Sequence, residues 1–196
     1  MWTAISIIIL SILHEYEAGV ERLSSITLIA TVFSAIMYVD DTDIFLFGRS
    51  DESILELIDR AQSMAIIWCN SLWATGGALR PEKCWWYLVQ FRWVGSKWKY
   101  CSIDDQPAEL IVPDCNEIPT TVERIEYIVP KRTLGVRIAA DGSMDGEFHY
   151  LRQKSIEWAG KLKKAFLYRS EANLAIMTTI SKTWLYPLQC TTFSEK

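Results

Sequence analysis

Three carboxylates, Asp40, Asp41 and Asp43, close a run of β-branched and apolar residues, "SSITLIATVFSAIMYV" at 24–39. The run carries no apolar stripe at spacings of three and four, so it reads as strand. A second run, "DIFLFG", follows the acids. Two such runs around a polar turn predict an antiparallel β-hairpin with Asp40 and Asp41 at its tip. Asp is favoured in turns because its side chain bonds the local backbone. Carboxylates held this close also repel, a cost that water, a proton or a cation must offset. Hard divalent cations prefer oxygen ligands of this kind. An ordinary solvated turn is the competing reading of a bare Asp-Asp pair.

From Ser50 the pattern turns helical. Ile54, Leu57, Ile58, Ala61, Ala65, Trp68 and Leu72 recur at threes and fours until Gly76 and Gly77 stop the helix. Ser50 is the expected cap, with Asp51 and Glu52 in the first turn. "CWWYLVQFRW" and "WKYCSI" read as two strands joined near Val94 to Lys97, with Gly95 in the turn. Residues 104–130 are polar and Pro-punctuated, the composition of a surface insertion. "RTLGVRI" predicts a short strand ending at the turn Asp141-Gly142-Ser143, and helices follow over 146–168 and 171–186, with Pro187 ending the second. The opening "MWTAISIIILSIL" reads as a buried helix, short of the ~20 apolar residues that cross a bilayer.

With 196 residues, half of them apolar, the chain fits one domain, or one with a small appendage, and disorder is not expected. Its five cysteines form no C-x-x-C pair and there are two histidines, so zinc is not expected. Reduced thiols and the lack of a secretory segment predict an intracellular protein, cytoplasmic or nuclear. The net charge of −4 hides an asymmetry: Arg152, Lys154, Lys161, Lys163, Lys164, Arg169 and Lys182 meet only Glu157 and Glu171 over 150–183. That basic segment is either a solvated helix face or one that meets phosphates.

Tyr38-Val39-Asp40-Asp41 on a hairpin resembles the Y-x-D-D box of reverse transcriptases. Further segments follow in that family's order. "GGALRPEKC" at 76–84 is similar to its segment beyond the palm helix, and "RTLGVRIAADGSMDGEF" at 132–148 to the primer grip of the non-LTR, LINE-type branch. The basic helices stand where that branch has its thumb. The resemblance runs from the opening helix to about Cys190 and implies the C-terminal palm and thumb portion of such an enzyme. The fold implied is α+β: a partial polymerase palm over 1–145, with an insertion near 104–130, and a helical thumb-like segment over 146–190. The activity implied for the intact protein is RNA-directed DNA polymerisation by two-metal nucleotidyl transfer. Mg²⁺ or Mn²⁺, an RNA template, a DNA primer and deoxynucleotide triphosphates are the implied cofactor and partners, with no membrane.

By the same resemblance Asp40 is a catalytic metal ligand and Asp41 a second, less direct one. Adjacent strand residues point to opposite faces, so both serve one ion only if the turn rotates one of them. Asp43 lies outside the box and is given a structural role. Lys83 matches a lysine near the incoming triphosphate, and Tyr38 a contact to nucleotide or primer. Leu134, Gly135 and Val136 match the primer grip. Lys154, Lys161 and Lys164 are expected to face duplex phosphates, away from an apolar stripe of Phe148, Leu151, Trp158, Leu162 and Phe166. Trp85, Trp86 and Trp93 divide between core and base stacking. The family's fingers and further metal-binding Asp lie ahead of the matched region, so this chain alone is expected to lack measurable polymerase activity. Two readings compete: an inactive retroelement remnant with residual nucleic-acid binding, and a non-enzymatic α+β interaction domain.

Overall fold

A computed structural model of the chain describes residues 2–15, 19–23, 28–33, 35–38, 41–133, 135–188 and 191. They form α1 (Trp2–Glu15), β1 (Val20–Leu23), β2 (Ala30–Phe33), β3 (Ala35–Tyr38), β4 (Asp41–Ile44) and α2 (Ile54–Ala74). A 3-10 turn at Pro81–Lys83 leads into β5 (Trp85–Trp86), β6 (Phe91–Val94), β7 (Lys97–Tyr100), β8 (Leu110–Pro113), β9 (Pro119–Arg124), β10 (Lys131–Thr133) and β11 (Val136–Ile138). Helices α3 (Asp145–Lys164), α4 (Arg169–Ala175) and α5 (Ser181–Leu188) close the chain, with a π-helical turn at Ile176–Ile180. The architecture is α+β, and its small sheets are antiparallel except where β5 runs parallel to β9. Two compact units share these elements: Met1–Leu88 with Cys101–Ile125, and Val89–Tyr100 with Glu126–Lys196.

Helix α2 organises the first unit. Its cap is Ser53 rather than Ser50: the Ser53 Oγ accepts the Glu56 amide at 3.3 Å, and Glu56 Oε2 accepts the Ser53 amide at 2.8 Å. This reciprocal box satisfies two amides at once, which leaves Asp51 and Glu52 ahead of the helix. At the other end Gly76 adopts φ 81° and the Gly77 amide reaches Leu72 O, the expected glycine stop. One side of α2 buries Met64, Trp68 and Leu72 against Ile9 and Leu13 of α1. The other presents Cys69 to Leu110 and Val112 of β8 and Val122 of β9. The 104–130 stretch is therefore no mere surface insertion. Its strands alternate inward and outward, "LIVP" burying Leu110 and Val112, and Pro113 and Pro119 stand at strand ends rather than inside a loop.

The 24–39 run also divides. β2 pairs back onto β1, whereas β3 pairs forward with β4. Nothing in an unbroken β-branched run marks where its partner changes. β4 starts at Asp41 and stops at Ile44, earlier than "DIFLFG" suggested, because Ile44 and Leu46 turn into the α1–α2 core.

In the second unit β6 and β7 make one hairpin and β10 and β11 another. "RTLGVRI" is thus a hairpin, with Gly135 at φ 90° beside its turn. Leu151 of α3 is fully buried, and Val136 and Ala139 are buried too. The Trp184 indole N–H of α5 donates to Ser155 Oγ of α3 at 2.8 Å. The second predicted helix continues from α4 through the π turn into α5, which carries Pro187 in its last turn.

Candidate functional site

The hairpin of β3 and β4 carries the acids. Its register pairs Ala35 with Ile44, Ile36 with Asp43, Met37 with Thr42 and Tyr38 with Asp41. Tyr38 and Asp41 are therefore the backbone pair nearest the tip, while Asp40 lies outside the described residues. Asp43 is half-buried.

What holds β4 in place is a tie that the motifs do not announce. Arg60 of α2 donates from Nε to Glu52 Oε1 at 2.7 Å, and from Nη2 to Glu52 Oε2 at 2.6 Å and to Phe47 O at 2.7 Å. Glu52 also accepts the Arg49 amide at 2.9 Å. The loop leaving β4 is thereby bound to the helix by a fork-to-fork pair, the strongest geometry such groups adopt. The Arg60 hydrogen bond is the main reason the Glu52 carboxyl is pulled down to about 2. An Arg eight residues after a Glu is the only trace of this tie in the sequence, and that spacing is not diagnostic.

Lys83, exposed, ends the 3-10 turn after α2, whose Pro81 is buried, and belongs to the same unit as Tyr38 and Asp41. Trp85 and Trp86 follow it, half-buried, with Trp86 packed on the β8–β9 core under the Arg124 guanidinium. Trp93 is exposed. Burial pushes the Cys69 thiol up to about 11 and raises that of Cys84, which favours the protonated thiol in both. A cavity of about 270 Å³ lies between the C-terminal half of α2 and the turn after β8. It is smaller than the ~300 Å³ at which ligand pockets begin, and no expected site residue lines it.

The primer-grip and thumb residues fall in the second unit. Leu134 lies outside the described residues. A Cβ on Gly135 would stand 3.0 Å from the Tyr186 ring, so the space left by this glycine is taken by that tyrosine. On α3 the inward stripe runs through Glu147, Leu151, Lys154, Trp158 and Leu162, not through Phe148, which is exposed, or Phe166, which lies beyond the helix. The stripe is turned because Glu147, 1% exposed, reaches back to β11: its Oε2 accepts the Arg137 amide at 2.7 Å and sits 3.7 Å from the Arg137 guanidinium. Lys154 therefore flanks the core and pairs with Glu157 at 2.9 Å. That hydrogen bond raises the Lys154 pKa and lowers that of Glu157. Lys161 and Lys164 are exposed, as are Arg152 and Lys163.

Among the described residues no group of three or more His, Cys, Asp or Glu side chains is placed to hold a metal ion. The divalent-cation expectation rests on Asp40 and Asp41 alone. Among the described residues, too, no helix is long and apolar enough to cross a membrane. Comparison with protein-family models, with curated proteins and with solved structures returns no match.

Proposed function

We propose that this chain is the palm and thumb portion of a reverse transcriptase of the non-LTR type, an RNA-directed DNA polymerase in its intact form. The observation that supports the reading is the antiparallel β3–β4 hairpin, in which Tyr38 and Asp41 of the Y-x-D-D box pair nearest the tip. A polymerase needs its acids on a short, stiff turn so that the ligands stay fixed while nucleotide and primer exchange. Packing of Ile44 on α2 and the Arg60–Glu52 tie supply that stiffness from behind. On this reading Asp40 and Asp41 hold a divalent cation. When bound, the cation's chemistry is activation of the primer hydroxyl and stabilisation of the departing pyrophosphate. Tyr38 bounds the nucleotide site and Lys83 faces the triphosphate.

Mn²⁺ binding followed by electron paramagnetic resonance tests the metal site. The expected result, with an upstream palm segment joined to the chain, is binding that is lost in Asp40→Ala and weakened in Asp41→Ala. Primer extension on an RNA template, with an upstream palm segment joined to the chain, tests the activity, and Asp40→Ala is expected to abolish it. Mn²⁺ affinity that is the same in both variants and in the parent would overturn the assignment.

A further inference from the structure

Strands β6 and β7 make a two-stranded ribbon, with no further strand beside it among the described residues. Such a ribbon is marginal in water unless its side chains pair well. On one face Phe91 stands opposite Tyr100 and Trp93 opposite Trp98, with ring centroids 4.5 and 4.8 Å apart. Tyr100 stacks in turn on Tyr127 at 4.5 Å, which fixes the base of the ribbon to its own unit. These contacts explain why the ribbon forms. They do not explain why its outer rings stay open: Phe91 is 49%, Trp93 57% and Trp98 66% exposed.

The charge of the ribbon is the second observation. Between Phe91 and Tyr100 there are three cations, Arg92, Lys97 and Lys99, and no acid, in a chain whose net charge is −4. Arg92 and Lys99 occupy directly opposed positions in the ladder, and Lys97 opposes Val94. Lysine stems run along apolar surface with the head free, so Lys97 and Lys99 can bring their charge round the edge of so narrow a ribbon.

We infer that the β6–β7 ribbon binds single-stranded nucleic acid, with bases seated on Trp93 and Trp98 and phosphates on Lys97 and Lys99. Open ring faces among cations bind single strands with little sequence preference, since every base has a face to stack. A duplex hides those faces. The ribbon lies in the unit that does not contain Tyr38 and Asp41, and the inference does not rest on the polymerase reading.

Fluorescence anisotropy of a labelled twelve-nucleotide single strand, titrated with the full chain, tests it. Trp93→Ala and Trp98→Ala should each weaken binding about tenfold, the effect of losing one stacked base. Trp93→Phe and Trp98→Phe, which keep a ring, should restore most of the affinity. An abasic strand of the same length should bind the parent weakly and not distinguish it from the Ala variants. Changing Lys97 and Lys99 together to Gln should lower the slope of log affinity against log salt by about 0.7 for each phosphate no longer neutralised. Ala variants that keep the parent's melting temperature and also its affinity overturn the inference. So does a parent chain that binds anionic phospholipid vesicles and no oligonucleotide, which would make the ribbon a lipid-facing surface.

Discussion

Glu52 accepts from Arg60 and from the Arg49 amide in one short loop, and its low pKa makes that tie sensitive to acid. The folded value of about 2 lies below the ordinary 4.5, so below the ordinary value the unfolded chain binds the proton more readily. The stabilisation is complete above pH 4.5 and is lost as pH falls towards 2. Glu52→Gln is expected to cost about 1 to 2 kcal/mol at pH 7, a charge-assisted pair discounted for its contact with solvent. Urea midpoints measured from pH 7 to pH 2 should show the variant and the parent converging in acid. A difference that stays constant over that range would mean that Glu52 acts by packing instead. Glu147, buried on α3, holds the Arg137 amide of β11 and thereby sets the rotation of that helix.

At the scale of elements, α2 carries the most structural consequence, because it faces α1 and the end of β4 on one side and β8 and β9 on the other. Its Gln62 amide closes the open edge of β8, donating to Ile111 O at 2.6 Å and accepting from the Ile111 amide at 2.8 Å. Ser53→Ala should remove the cap and lower stability by about 1 kcal/mol, seen as a reduced melting temperature. Ser50→Ala should change it far less. Equal effects would contradict the assignment of the cap to Ser53. Helix α3 is placed by a close approach instead: a Cβ on Gly146 would come within 2.7 Å of the Pro130 Cβ, so no larger residue fits that contact without displacement.

For the whole molecule, on the proposed polymerase reading, the placement of charge on α3 decides how duplex binding should depend on salt. Lys154 is engaged with Glu157, whereas Lys161 and Lys164 are exposed in the last turn of α3. Changing Lys161 and Lys164 together to Gln is therefore expected to lower the salt slope of duplex binding by about 0.7 to 0.9 for each lysine that meets a phosphate, with Lys154→Gln nearly silent. Duplex affinity measured across a salt series for both variants checks this. An equal drop in Lys154→Gln would mean that its ion pair opens when the duplex binds.

The elements readable from sequence were those with local causes. A short apolar run marked α1, periodicity marked α2 and α3, glycines marked the end of α2 and the turn of the ribbon, and the polar interruption marked the β3–β4 hairpin, whose strands are neighbours in the chain. The register was not legible: the sequence predicts Asp41 at the tip with Asp40, whereas Asp41 opens β4 opposite Tyr38. Tertiary structure alone decided the parallel pairing of Trp85 with Glu123, the burial of Leu110 and Val112 in a stretch that reads as polar, and the turning of α3 about Glu147. A single window of sequence carries no record of which distant surface will cover a strand. A carboxylate reads as solvent-facing until the amide that binds it is brought alongside, and for Glu147 that amide, on Oε2, comes from another element.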